Sequence, residues 1–186
     1  MGIVEAAQQV VRLIDGAVPR CGAVTVVAVD GPSGAGKTTL ANAVADVLAA
    51  AGRSASVVHV DDLVPGWDGL AATPALVAEQ VLEPLSRGER AAFHVWDWEA
   101  DRWGDRRTVA PADVLVVEGC GSSAEPAGRW ASVRVWVEAP AAQRYSRAIA
   151  RDGAVFAANW DRWAAQEREL FTRDGTRSRS DLVVET

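Results

Sequence analysis

Residues 31–38, GPSGAGKT, match the pattern G-x-x-x-x-G-K-[ST] at every fixed position, and no other stretch restricts the fold as tightly. The pattern works only between a strand and a helix. Its glycines let the backbone fold back so that successive N–H groups point at phosphate oxygens. The following helix adds its positive N-terminal end. Both neighbours are present: AVTVVAVD (23–30) is a β-branched run that reads as a buried strand, and TTLANAVADVLAAAG (38–52) has helical spacing and stops at Gly52. This chemistry assigns Gly31, Ser33, Gly34, Ala35, Gly36, Lys37, Thr38 and Thr39 to ATP. Lys37 is expected to reach the β- and γ-phosphates and the Thr38 hydroxyl to hold Mg²⁺.

Apolar runs and helical patterns alternate along the rest of the chain, the signature of a parallel sheet covered by helices. Strands are predicted at 54–62 (SASVVHVDD), 112–119 (ADVLVVEG), 132–140 (SVRVWVEAP) and 180–186 (SDLVVET). Helices are predicted at the N-terminus and over 73–88, 141–153 and 156–175. The expectation is an α/β P-loop NTPase fold, a five-stranded, mostly parallel sheet flanked by helices, with 1–186 as one domain. There is no internal repeat, low-complexity tract or linker.

The net charge of −6 argues against broad nucleic-acid or anionic-membrane binding, which needs a basic face. Charges or glycines interrupt every apolar run before it reaches membrane-spanning length, and the acidic N-terminus is unlike a secretory signal. The cytoplasm is the expected location. Two isolated cysteines, Cys21 and Cys120, form neither a disulfide framework nor a zinc site and read as buried free thiols.

The run VLVVEG ends on Glu118, an acid placed to serve the metal directly or through a bound water, or else to cap the next turn. The N-K-x-D of switch GTPases and the L-S-G-G-Q of ABC ATPases are both absent. What the chain offers instead is acids after its second strand and arginines late in the sequence. That is the equipment of a small-molecule kinase, in which an acid accepts the acceptor's proton and arginines neutralise the transferring phosphoryl group.

These residues resemble the uridine kinase and phosphoribulokinase family over roughly 23–153. After the phosphate loop the family has an Asp-x-Phe-type motif closing the second strand, and this chain has VDDLVPGWDGL (60–70) there. The resemblance implies Asp61 as general base, with Asp62 its rival; Leu63 replaces the usual aromatic. Trp67 and Asp68 match an aromatic-Asp pair that touches the nucleoside, although Asp68 also suits a turn after Gly66. Trp96, Asp97 and Trp98, in HVWDWEADRW (94–103), match a Tyr-Asp-Phe segment. QRYSRAIARD (143–152) is similar to the family's lid helix, with Arg144, Arg147 and Arg151 on neighbouring helical positions. The resemblance implies a nucleoside-kinase-like protein with a small lid at about 141–153 and an acceptor region at about 61–107. Arg147 would assist transfer, and Arg144 and Arg151 would meet ATP.

The likeness stops at the family's base-reading histidine, where Asp101 stands. An ionised carboxylate only accepts hydrogen bonds, whereas a neutral imidazole donates and accepts. The acceptor is therefore expected to be a hydroxyl-bearing nucleoside or related metabolite, with an amine as one candidate feature that Asp68, Asp97 or Asp101 could bind. His59 reads as a satisfied strand histidine, and His94 has no better case. Trp136 reads as core, and Trp160 and Trp163 as a packing stripe. Two alternatives stay open: a nucleotide-binding regulatory protein without transfer, and a P-loop ligase or nucleoside-monophosphate kinase, for which Arg102, Arg106 and Arg107 could serve. Homo-oligomerisation is also left open.

Overall fold

The computed structural model describes residues 2–186. Five strands form one sheet: β1 (Thr25–Asp30), β2 (Ala55–His59), β5 (Val114–Glu118), β6 (Val133–Glu138) and β7 (Leu182–Glu185). Their order is β2-β5-β1-β6-β7, and every pairing is parallel. All six residues of β1 are buried, as expected for the central strand of a sheet covered on both faces. The strand pattern is thus the predicted one with trimmed ends. The main difference is after His59, where Val60–Leu63 is a 3₁₀ turn that carries Asp61 and Asp62 out of the strand.

Alternating strand residues feed two apolar cores. Val27, Val29, Val114, Val116 and Val135 meet α1 (Ile3–Asp15) and α2 (Lys37–Ala50) through Ala7, Val10, Leu40, Val44 and Leu48. On the opposite face, Val26, Val58, Leu115 and Val117 share a core with Val77 of α3 (Thr73–Val77) and Leu85 of α4 (Glu83–Ser86). The predicted 73–88 helix is interrupted by a π-helical turn at Ala78–Leu82. Pro84 lies within the first turn of the segment that follows, where its missing N–H costs least.

An antiparallel hairpin, β3 (Ala91–Asp97) and β4 (Arg102–Val109), forms a second, two-stranded sheet that the alternation of elements did not predict. It packs on the second core through Ala91, Phe93 and Val109. A long helix, α5 (Ala141–Asp174), is broken at Gly153 (φ 68°, ψ −151°), so the two helices read from sequence are two arms of one bent element. Only glycine occupies that backbone region readily. Among the described residues no helix is long and apolar enough to cross a membrane.

Candidate active site

The phosphate loop runs from the buried end of β1 into α2. Gly34 has φ 77°, and a Cβ there would stand 2.2 Å from the Arg144 carbonyl oxygen. The residue type is therefore required twice, by the turn and by the approach of α5. Behind the loop, the fully buried Asp30 accepts the backbone N–H of Gly31 (2.7 Å), Gly121 (2.9 Å) and Ser123 (2.9 Å), and the Ser123 hydroxyl (2.9 Å). Burial drives its carboxyl upward and these bonds oppose that. Asp30 thus ties the start of the loop to the segment after β5.

Lys37 Nζ donates to Pro32 O (3.1 Å), closing the loop on itself. Burial acts to lower its pKa, but the Cys120 sulfur, Glu167, Asp61 and Glu118 surround it, and the net shift is upward. Lys37 is therefore a firmly charged group held by acids. Cys120 is the buried free thiol that was expected, but it is no bystander. Its sulfur lies 3.4 Å from Lys37 Nζ and 3.2 Å from Glu167 Oε1, and burial pushes it well above the ordinary thiol range.

Thr38 Oγ1 donates to Glu118 Oε1 at 3.1 Å. The hydroxyl keeps its oxygen lone pairs available to a cation, and Glu118, only 5% exposed, keeps Oε2 clear of protein donors, so the two together suit Mg²⁺, which takes oxygen ligands. Among the described residues no group of three or more His, Cys, Asp or Glu could hold a metal, so an Mg²⁺ ion here would take its other ligands from phosphate and water, as that ion commonly does.

A cavity of 780 Å³ opens beside the loop, lined in part by Ser33, Asp61, Trp67, Trp98, Arg151 and Trp163. The Asp61 carboxylate accepts no protein donor and faces the cavity. Although solvent reaches it, the surrounding cleft partly desolvates the carboxyl and raises it above the usual range, against the pull of Lys37. Asp62, also on the wall, is ion-paired with Arg107. The two acids are thereby distinguished, one free and one neutralised.

The tryptophans divide. Trp98 and Trp67 pack edge to face (5.0 Å between rings), and Trp163 meets both, at 6.4 and 6.1 Å. Trp96 instead packs on Trp103 and lies over Gly66, away from the cavity lining. Strand alternation ends at Asp97, so Trp98 sits in the turn and donates its indole N–H to Asp61 O (3.2 Å). Asp97 Oδ1 caps that turn by accepting Glu99 N (3.0 Å) and Ala100 N (2.9 Å). Asp101 takes φ 49° in the same turn, a conformation Asp tolerates. Asp68 is ion-paired with Arg162 of α5. None of these three acids lines the cavity.

The lid arginines face different ways. Arg151 lines the cavity and pairs with Asp152. Arg147 lines a separate 340 Å³ pocket with Gly36, Thr39 and Thr186, and donates to Thr186 Oγ1 (2.9 Å). Arg144 lies over the Trp160 ring and donates to Ser33 O (3.1 Å) and Ala139 O (3.2 Å).

Three residues gain roles that sequence reasoning did not give them. Glu167, 3% exposed, accepts Ser33 N (2.7 Å) and Trp163 Nε1 (2.8 Å) on one oxygen. Trp163 is a cavity wall as well as packing, and its spacing of four from Glu167 was a readable signal. His59 donates through Nδ1 to Glu118 Oε1 (2.6 Å). That bond is the main reason its pKa is raised.

Comparisons with known proteins agree with this fold. The protein described as a "possible uridine kinase" from Bacillus stearothermophilus superimposes with a TM-score of 0.68 at 21% identity, covering 95% of this chain and 99% of that one. A "putative fructose transport system kinase" from Silicibacter sp. TM1040 gives 0.63 at 23% identity, covering 98% of each. The D-glycerate 3-kinase of Cryptococcus neoformans var. grubii gives 0.54 at 12%, covering 92% of this chain and 87% of that one. No curated protein matches the chain. The family model described as an AAA domain matches residues 27–154, from the first strand to the break in α5, and the chain belongs to that family, built on the P-loop kinase fold.

Proposed function

We propose that this protein is an ATP- and Mg²⁺-dependent kinase that transfers the γ-phosphoryl group to a hydroxyl of a small molecule, the chain acting as one kinase domain. One observation carries the reading: a carboxylate with no protein donor, Asp61, shares a cavity with phosphate-loop residue Ser33 and with Arg151.

The loop amides from Gly34 to Thr38 and Lys37 bind the phosphate chain and hold it in line with the cavity. Thr38 and Glu118 would hold Mg²⁺, which would supply positive charge against the phosphates. Asp61 accepts the proton of the acceptor hydroxyl at its carboxylate, and its raised pKa brings it closer to the range where a general base works best. Arg151, on the cavity side, meets the transferring group. Arg147, beside Thr39, serves the nucleotide, so these two arginines exchange the roles expected of them. Arg144 positions the loop through Ser33 O. Trp67, Trp98 and Trp163 form a flat apolar wall that suits a ring, and water exclusion by the lid favours transfer over hydrolysis.

A phosphorylated acceptor, as in a nucleoside-monophosphate kinase, fits less well. Arg107 is neutralised by Asp62, Arg106 lines a different surface depression, and the cavity wall carries Asp61, Asp62, Glu99 and Asp152 against Arg151. ADP release measured across nucleosides, sugars, vitamins and amino alcohols tests the proposal. At least one neutral or cationic alcohol should stimulate release by the native protein and by no Lys37→Ala preparation. Tight ATP binding with no stimulation by any alcohol would favour the regulatory alternative.

A further inference from the structure

His59 and Glu118 occupy the same register position on adjacent parallel strands, β2 and β5. Their side chains therefore emerge on one face, and a slip of one residue would put them on opposite faces. The imidazole reaches Glu118 Oε1 at 2.6 Å, and the Thr38 hydroxyl reaches the same oxygen at 3.1 Å. Two donors from two different elements, β2 and α2, thus fix the rotation of a nearly buried carboxylate. Oε2 is left free of protein donors.

Packing does not account for His59. Its side chain is 38% exposed. Its one hydrogen-bonded partner among the described residues is Glu118. A buried carboxylate with a single remaining donor would be free to rotate away from Thr38. A ligand that must be reoriented on each binding event holds a metal less well than one already oriented.

We propose that His59 is a positioning residue for the metal centre: its Nδ1–H holds the Glu118 carboxylate in the orientation in which Thr38 and Glu118 together receive Mg²⁺ on the bound nucleotide. This rests on the kinase reading only in taking Mg²⁺-nucleotide as the ligand, and it does not depend on which acceptor is used. His59 touches neither nucleotide nor acceptor in this account.

The test is the gain in ADP affinity on adding Mg²⁺, measured by calorimetry in chelator and at saturating Mg²⁺. His59→Ala should leave the metal-free ADP affinity unchanged and reduce the metal-dependent gain by about 10- to 100-fold, the usual cost of losing a partner behind a metal ligand. His59→Asn, whose amide nitrogen can stand where Nδ1 stands, should recover much of the gain. His59→Gln, with its nitrogen one bond farther out, should recover less. An equal fall of ADP affinity with and without Mg²⁺ would overturn the proposal, because it would mark a merely structural residue. An unchanged metal-dependent gain in His59→Ala, or no gain in the native protein, would overturn it too. Failure of the kinase reading looks different: no alcohol acts as acceptor while the metal-dependent gain and its His59 dependence persist.

Discussion

Single atoms separate Asp61 from Asp62. Both follow the second strand, and sequence alone leaves either as the base. In the proposed kinase the Arg107 ion pair occupies Asp62, while no protein donor reaches the Asp61 carboxylate. Two outcomes follow. Asp61→Asn should lower phosphoryl transfer by roughly 10²- to 10⁴-fold, the span of general-base contributions, while Asp62→Asn should cost far less. Because the Asp61 carboxyl is raised on folding, its ionisation destabilises the native state as pH climbs from the unfolded to the folded pKa. Thermal unfolding at neutral pH should therefore find Asp61→Asn more stable than the native protein, and the difference should vanish in acid. A less stable Asp61→Asn would mean that Lys37 outweighs desolvation. Turnover should also rise with pH through a midpoint above the ordinary aspartate range, a limb absent in the Asn variant. His59 and Glu167 were illegible at this scale for a physical reason: each acts through a partner more than fifty residues away, on a register or helix phase that local pattern does not fix.

The elements were legible where one period dominates. The five strands are rich in β-branched residues, and the three central ones, β1, β5 and β6, are largely buried. The β3–β4 hairpin was not predicted because most of its residues are exposed or half-buried, β4 carries four charges, and a bulge between His94 and Trp96 breaks the alternation. That bulge and the turn at Trp98–Asp101 also explain why only one tryptophan of the matched Trp-Asp-Trp segment reaches the cavity. Two glycines carry element-scale predictions. Gly34→Ala would drive a methyl into the Arg144 carbonyl, separating α5 from the loop. Nucleotide binding by calorimetry should be largely lost. Gly153 has open space around it, so Gly153→Ala pays only for its backbone region, about 1–3 kcal/mol. It should shift the bend between the two arms of α5 and lower turnover more than nucleotide affinity.

For the whole molecule, alternation of strands and helices with one phosphate-loop motif was enough to specify the α/β architecture, because parallel strands need helical crossovers and the motif needs a strand-loop-helix seat. The closure of the fold at its C-terminal edge was not readable. There Arg177 holds the Glu138 carboxyl down at about 2 and tethers the segment before β7 to β6. This depressed pKa contributes stability above the ordinary glutamate range, and that stability is lost as pH falls toward about 2. Arg177→Ala should flatten that part of the acid-unfolding profile, which circular dichroism can follow. Single-turnover reaction of γ-labelled ATP with an acceptor found by ADP release decides whether this fold transfers phosphate to an alcohol. The native protein should label the acceptor rapidly, Asp61→Asn should label it slower by orders of magnitude with ATP affinity intact, and Lys37→Ala should give no label. Undiminished labelling by Asp61→Asn, or label appearing only as inorganic phosphate in the native protein, would contradict phosphoryl transfer with Asp61 as base.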